Sequence, residues 1–268
     1  MQDKGILFLF DMDGTLTPAR QKMPIANEVM LGRIQHAGSE VGIITGSDMN
    51  YVKQQCATLF DLSLIYTDKI HFLPCNGTKY ILDNDVIYSE NMQEYMGYEN
   101  WNSLVQFLLQ QQCQLCVSPQ VQLESDYKLP LTGHFFNYRE SLLNWCPIGR
   151  NANKEDRDQW EYYDKDSRIR KVILKRVNDF LKTIDCDVTV KLGGDTSFDI
   201  FPKGWDKTYP LERTNYFDNY SKIYFIGDRC NPNGNDYELY NHPKTIGFET
   251  QSPENTIEIV NKLLSENV

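Results

Sequence analysis

Across roughly the first 80 residues, unbroken apolar runs of strand length alternate with segments of helical spacing. Residues 6–10 form such a run, with Gly5 on one side and Asp11 on the other. Residues 41–45 form a second, and 64–66 and 71–73 are further strand candidates. Between them the spacing predicts a helix over 27–37, after Pro24, and another from Ser47 to about Leu59, with Asp48 favourably placed in its first turn. Strand and helix alternating in this way predict a parallel, doubly wound α/β sheet.

The middle of the chain has a different pattern. Residues 79–82 and 86–88 flank an Asp83-Asn84-Asp85 turn, which predicts a hairpin. A helix over about 98–112 places Trp101, Leu104, Val105, Leu108 and Leu109 on one stripe. Strands at 134–139 and 142–146 precede a long, charged helical region, 154–184, broken near Asp164 to Asp166. Alternating strands at 187–191 and 197–201 complete an α+β pattern. The first pattern then returns, with a buried strand at 222–226 ending on Gly227-Asp228, a short strand at 245–248, and an amphipathic helix at 253–264. The expected architecture is a discontinuous core, 1–84 and 206–268, with an inserted α+β cap domain at 85–205. The hinges fall near Asp83 and over 202–206.

Composition narrows the classes of function. A net charge of −10 over 268 residues argues against a nucleic-acid-binding surface. No apolar run approaches the roughly 20 residues that cross a bilayer. The chain enters its first strand almost at once, so a cytoplasmic protein is expected. Seven scattered cysteines make no disulfide framework, and Cys113-Gln-Leu-Cys116 reads as two reduced thiols at a helix-to-strand junction. The four histidines stand apart from any nucleophile, which disfavours a histidine-centred hydrolase.

The chemistry gathers at strand ends. Asp11 and Asp13 follow the first apolar run, where an α/β sheet opens its ligand crevice. Strand alternation would turn both carboxylates to one side, and two anions so close call for a cation or a shared proton. A hard divalent ion such as Mg²⁺ suits such oxygens. Asp228 ends a second buried strand and can supply a third carboxylate, with Asn235 and Asp236 as support. Thr45 or Ser47 can donate to a phosphoryl oxygen, and Lys207 can neutralise charge beside Asp11.

Carboxylate, hydroxyl, lysine and acid in this order resemble the haloacid dehalogenase superfamily, whose Rossmann-like core carries inserted caps. The resemblance implies that Asp11 is a nucleophile that takes up a phosphoryl group, and that Asp13 is a general acid/base. It therefore points to a phosphatase or a phosphomutase.

Cap residues carry a narrower likeness. Phe136-Asn-Tyr-Arg139, Cys146-Pro-Ile-Gly-Arg150 with Arg157 beyond it, and Ser197-Phe-Asp199-Ile-Phe-Pro-Lys-Gly-Trp-Asp-Lys207 resemble the eukaryotic-type phosphomannomutase family, of capped type IIB. That resemblance implies that Arg20, Arg139, Arg150 and Arg157 bind the phosphosugar, with Ser197 and Asp199 at the sugar. It implies Mg²⁺, a hexose 1,6-bisphosphate that phosphorylates Asp11, mannose and glucose phosphates as substrates, and a homodimer through the cap. The family's second, structural cation would fall to Tyr240, His242 and Thr245, with His242 where an aspartate is usual. The rival expectations are a sugar-phosphate phosphatase using the same Asp11 and Asp13, and a catalytically silent phosphosugar-binding protein.

Overall fold

The computed structural model describes residues 4–61, 70–117, 128–232 and 234–266, so the strand candidate at 64–66 lies outside the described residues. The chain forms two compact units, Met1–Glu90 with Gly204–Val268, and Asn91–Lys203. The first unit begins with β1 (Ile6–Phe10), α1 (Ile25–His36), β2 (Glu40–Ile44), α2 (Met49–Gln55), α3 (Thr58–Asp61), β3 (Ile70–Leu73), β4 (Lys79–Leu82) and β5 (Asp85–Ser89). The second holds α4 (Met92–Val117), β6 (Phe136–Tyr138), β7 (Leu143–Trp145), α5 (Lys154–Ser167), α6 (Ile169–Leu181), β8 (Val188–Gly193) and β9 (Ser197–Pro202). The chain then returns to the first unit with α7 (Tyr209–Arg213), β10 (Lys222–Gly227), α8 (Tyr237–Tyr240), β11 (Ile246–Glu249) and α9 (Pro253–Glu266).

The first unit is built on a seven-stranded sheet of order β11-β10-β1-β2-β3-β4-β5. Strands β11 to β3 run parallel, and β4 and β5 fold back antiparallel. β1 lies between two parallel neighbours, and its alternate side chains enter opposite layers. Phe8 and Phe10 pack with Met30, Leu31 and Ile34 of α1 and with Val260 and Leu263 of α9. Leu7 and Leu9 pack with Leu211, Phe217 and Leu239. Each fully buried side chain of this kind contributes about 1.5–3 kcal/mol. A slip of one residue would exchange these two sets, so the register that places Asp11 just beyond β1 is strongly fixed.

Two expectations need correction here. The hairpin at 79–88 pairs onto β3, so the core continues to Glu90 and the first boundary falls at Asn91 instead of 85. The second falls at Gly204 instead of 206. The helix expected over 47–59 is two helices, α2 and α3, because Cys56 caps α2 and the Gln55 carbonyl accepts the Met23 N–H at 2.8 Å.

The second unit is a four-stranded antiparallel sheet, β6-β7-β9-β8. Trp145 stacks on Phe198 at 5.2 Å between centroids, and its indole N–H donates to Gln112 of α4 at 2.8 Å. The cross-strand partners Asn137, Asn144, Asp199 and Lys191 form a polar row on the other face. The break in the helical region comes at Arg168, slightly later than expected. Arg168 takes the left-handed conformation, φ 55°, and Asp164 reaches across the break to accept the Arg170 N–H at 2.8 Å. Asp164 thereby satisfies one first-turn N–H of α6, which starts afresh after the break.

Candidate active site

The loop after β1 wraps its own backbone. The Met12 carbonyl accepts N–H bonds from Leu16 and Thr17, both at 2.9 Å, and the Asp11 N–H donates to Ile226 of β10 at 2.9 Å. The Thr256 hydroxyl of α9 donates to the Thr15 carbonyl at 2.9 Å. Gly14 has φ 86°, and a Cβ there would collide with the Asp228 carboxylate. Only glycine permits this approach of the two loops.

Three carboxylates converge here: Asp11, Asp228 and Asp236, each with an oxygen within 4.8 Å of the others. The Lys207 ammonium, 1% exposed, bonds Asp11 Oδ1 and also Asp236 Oδ1, the latter at 2.6 Å. Asp236 Oδ2 accepts the Arg229 N–H at 3.0 Å. Asp236, expected only as support, is therefore a full member of the cluster, whereas Asn235 beside it is exposed. Burial, with Asp236 and Asp228 nearby, pushes the Asp11 carboxyl up to about 8 against the pull of Lys207. Burial and Asp236 raise Asp228 as well. Two buried acids and the half-buried Asp228 against one ammonium leave a surplus of negative charge that a hard divalent cation would relieve. The all-oxygen donor set fits one.

Asp13 does not join that cluster, although alternation had placed it with Asp11. The chain leaves strand geometry after Phe10, so the two-residue period no longer applies. Asp13 Oδ1 instead accepts the Arg20 N–H at 3.0 Å and the Tyr51 hydroxyl at 2.9 Å. The loop after β2 brings up Thr45, which is buried and whose Oγ1 accepts the Ser47 N–H at 3.2 Å. The Cys75-Asn76 turn braces this loop: Asn76 donates to the Thr45 carbonyl and Cys75 to that of Ser47, both at 2.8 Å. The Tyr51 contact is invisible in the sequence, since it links residues 38 apart.

In the second unit, Arg150 and Arg157 come together. Arg157 Nη2 donates to the Arg150 carbonyl and Nε to that of Ala152, both at 3.0 Å, while Nη1 meets Thr196 Oγ1 at 3.4 Å. Arg150 Nη1 donates to Asn144 Oδ1 at 2.9 Å, and Asn144 Nδ2 donates to Asp199 Oδ1 at 2.7 Å. Ser197 is buried, with its hydroxyl 3.4 Å from that of Thr196. Arg139 sits at the β6–β7 turn, where its N–H donates to the Leu142 carbonyl at 2.8 Å. Asn144 and Thr196 are additions to the expected set. The Asn144–Asp199 pairing follows only from strand register, which the sequence does not display.

The second cation expected at Tyr240, His242 and Thr245 is not supported by the geometry. His242 Nδ1 accepts the Lys244 N–H at 3.2 Å, so Nε2 carries the proton toward Glu212 Oε1, 2.5 Å away. Neither ring nitrogen is left for a metal. The Thr245 hydroxyl donates to the Leu239 carbonyl at 2.6 Å. Among the described residues, the Asp11, Asp228 and Asp236 group is the one whose spacing suits an ion.

A doubly wound sheet with an acid-and-lysine centre beyond β1 and β10, and an α+β insertion after β5, defines a haloacid dehalogenase-type protein. The C-terminal domain of C. albicans trehalose-6-phosphate phosphatase shares this fold, with a TM-score of 0.59, 14% identity, and coverage of 98% of this chain and 93% of that one. IMP-bound Plasmodium falciparum IMP-nucleotidase shares it at TM-score 0.57 and 13% identity, over 97% and 68% of the two chains. Residues 29–266 match the eukaryotic phosphomannomutase family, and the chain belongs to it. Relatives named phosphomannomutase include proteins of Arabidopsis thaliana, 33% identical over 94% of each chain, and Drosophila melanogaster, 32% identical over 97% of this chain and 95% of that one.

Proposed function

We propose that this chain is a Mg²⁺-dependent phosphomannomutase that interconverts mannose 6-phosphate and mannose 1-phosphate and also accepts glucose phosphates. The observation that carries this reading is a complete carboxylate–ammonium centre, Asp11, Lys207, Asp228 and Asp236, in a chain of this family. Asp11 is the nucleophile: it attacks phosphorus, and its carboxylate carries the phosphoryl group between sugars. Lys207 opposes the upward push on the Asp11 carboxyl and so favours its ionised form as the anionic substrate approaches. Asp13 gives its proton to the departing sugar oxygen, then takes one from the attacking hydroxyl. Thr45, with Ser47 beside it, has a hydroxyl proton to donate to a phosphoryl oxygen. Asp11, Asp228 and Asp236 would hold Mg²⁺, which supplies charge neutralisation at the phosphate when bound.

The phosphate that does not react falls to Arg150 and Arg157, and Arg20 and Arg139 are further candidates for binding the phosphosugar. Ser197 and Asp199 read ring hydroxyls. A hexose 1,6-bisphosphate primes the cycle by phosphorylating Asp11. The same reading takes the chain as a cytoplasmic homodimer joined through its cap, which sedimentation of the purified protein would test. It accords with the finding that, among the described residues, no helix is long and apolar enough to cross a membrane.

The decisive measurement incubates the protein and Mg²⁺ with mannose 1-phosphate, with and without glucose 1,6-bisphosphate. Mannose 6-phosphate and free phosphate are followed together. Isomerisation that needs the bisphosphate supports the mutase. Stoichiometric phosphate release without isomerisation would make the chain a phosphatase, and no turnover of either kind would leave a phosphosugar-binding protein.

A further inference from the structure

We infer that Tyr51 is a positioning residue for Asp13, selecting which of its two carboxylate oxygens exchanges the proton with the sugar. The inference rests on the phosphoryl-transfer reading of Asp11 and Asp13. Among the described residues, both donors to the Asp13 carboxylate arrive at one atom: the Arg20 N–H at 3.0 Å and the Tyr51 hydroxyl at 2.9 Å both meet Oδ1. The two donors come from different elements. Arg20 lies in the loop after β1 and holds φ 59°, a left-handed conformation that disfavours a side chain. Strain of this kind persists where the surroundings enforce it, and here it delivers an N–H to Asp13.

Tyr51 comes from α2. Asp48 caps that helix by accepting the Tyr51 N–H itself at 2.9 Å, so the residue that reaches Asp13 is also the one tied to the helix start. The stretch leading into α2 is the one that brings up Thr45 and Ser47, the Ser47 N–H donating to Thr45 Oγ1. One short segment therefore carries both a hydroxyl for the phosphoryl group and the brace for the acid. Half-burial and the neighbouring Asp13 charge raise the Tyr51 hydroxyl well above its usual range, so it remains a donor.

An oxygen that accepts two hydrogen bonds is the poorer place for a proton. With Oδ1 engaged by both donors, Oδ2 is the oxygen turned to proton exchange with the sugar. In one direction the Oδ2 proton passes to the sugar ester oxygen as its bond to phosphorus breaks and the Asp11 oxygen bonds to phosphorus. In the other, a sugar hydroxyl gives its proton to Oδ2 as its oxygen takes phosphorus from Asp11. With Oδ1 clamped from two sides, rotation of the carboxylate is suppressed, and the same atom serves both directions.

The test exploits leaving groups. Acetyl phosphate can phosphorylate an aspartate without protonation of its leaving carboxylate, whereas glucose 1,6-bisphosphate needs an acid. In the full-length Mg²⁺-loaded protein, Tyr51→Phe should slow Asp11 phosphorylation by glucose 1,6-bisphosphate about tenfold, a part of the 10²–10⁴ that acid catalysis supplies. Phosphorylation by acetyl phosphate should stay within about twofold. Tyr51→Gln, which restores a donor, should recover part of the loss and covers the case in which Tyr51→Phe misfolds. Equal losses with both donors, or no loss with either, would overturn the inference. A wild-type protein that forms no phosphoenzyme from either compound would instead overturn the phosphoryl-transfer reading itself.

Discussion

In the first unit, the Lys207 ammonium is sealed from water between Asp11 and Asp236, with Asp228 alongside. In the second, the Arg150 and Arg157 guanidiniums donate to oxygens of Asn144, Ala152, Arg150 and Thr196. The difference is one of the sign of charge that is gathered. The first arrangement stores repulsion among carboxylates, which a cation relieves. The second brings two guanidiniums together, whose forks of donors match a phosphate. One unit is thus suited to making and breaking bonds to phosphorus, and the other to gripping a phosphate that does not react.

The comparison breaks most sharply at Asp11. Asp11→Asn should reduce mutase and phosphatase turnover together by at least about 10³-fold, since no other group can take up the phosphoryl. Binding of mannose 1-phosphate, followed by calorimetry, should survive, because the phosphate grip lies in the other unit. Retained turnover would show that the nucleophile has been misassigned.

The buried surplus of negative charge predicts a second, slightly smaller effect. Saturating Mg²⁺ should raise the thermal midpoint, by about 2.7 kcal/mol of stabilisation at 100 times the dissociation constant. For a chain of this size that is about 5–10 °C. Asp228→Asn should abolish most of the rise, while Arg150→Ala should leave it intact. An equal response in all three proteins would remove the acidic cluster as the cation site.

These contrasts were unequally legible in the sequence. Unbroken apolar runs announced β1, β2 and β10 because a parallel strand buried on both faces leaves no polar position to blur it. The strand-end rule then found Asp11 and Asp228. It failed at Asp13, where a loop replaces strand alternation, and undervalued Asp236, whose pairing with Lys207 joins residues 29 apart. It could not find Tyr51 or Asn144, since each acts through a partner that only helix orientation or sheet register supplies. The second strand of the hairpin, 86–88, was assigned to the wrong unit for the same reason: its local pattern is that of any hairpin, and only pairing of the hairpin with β3 makes the whole of it core.

Arg150 tests the second unit directly. A charge-assisted bond to phosphate is worth about 1.5–3 kcal/mol, so Arg150→Ala should raise KM for mannose 1-phosphate roughly 30-fold. Phosphorylation of Asp11 by acetyl phosphate, whose one phosphate is the reacting group and not one for Arg150 to grip, should be unchanged. A loss with both donors would mean that Arg150 supports the fold and not the substrate.

The smallest effect probes how Arg150 is held, and it turns on Asn144. Its amide is buried and presents an oxygen to Arg150 and an N–H to Asp199, so it braces a cation and an anion at once without adding charge of its own. Losing two such bonds costs about 0.5–1.5 kcal/mol each in fold stability, only a part of which reaches substrate binding. Asn144→Ala should therefore raise KM about threefold with kcat little altered. Asn144→Asp is the sharper probe of the reasoning. It keeps the acceptor for Arg150 but turns the donor into an anion facing Asp199, so it both cancels the guanidinium charge and repels the sugar-reading acid. KM should then rise about tenfold, more than with alanine, although aspartate is the closer match in shape. If alanine proved the more damaging of the two, neutrality at this position would not matter, and the two units would not differ in the way proposed.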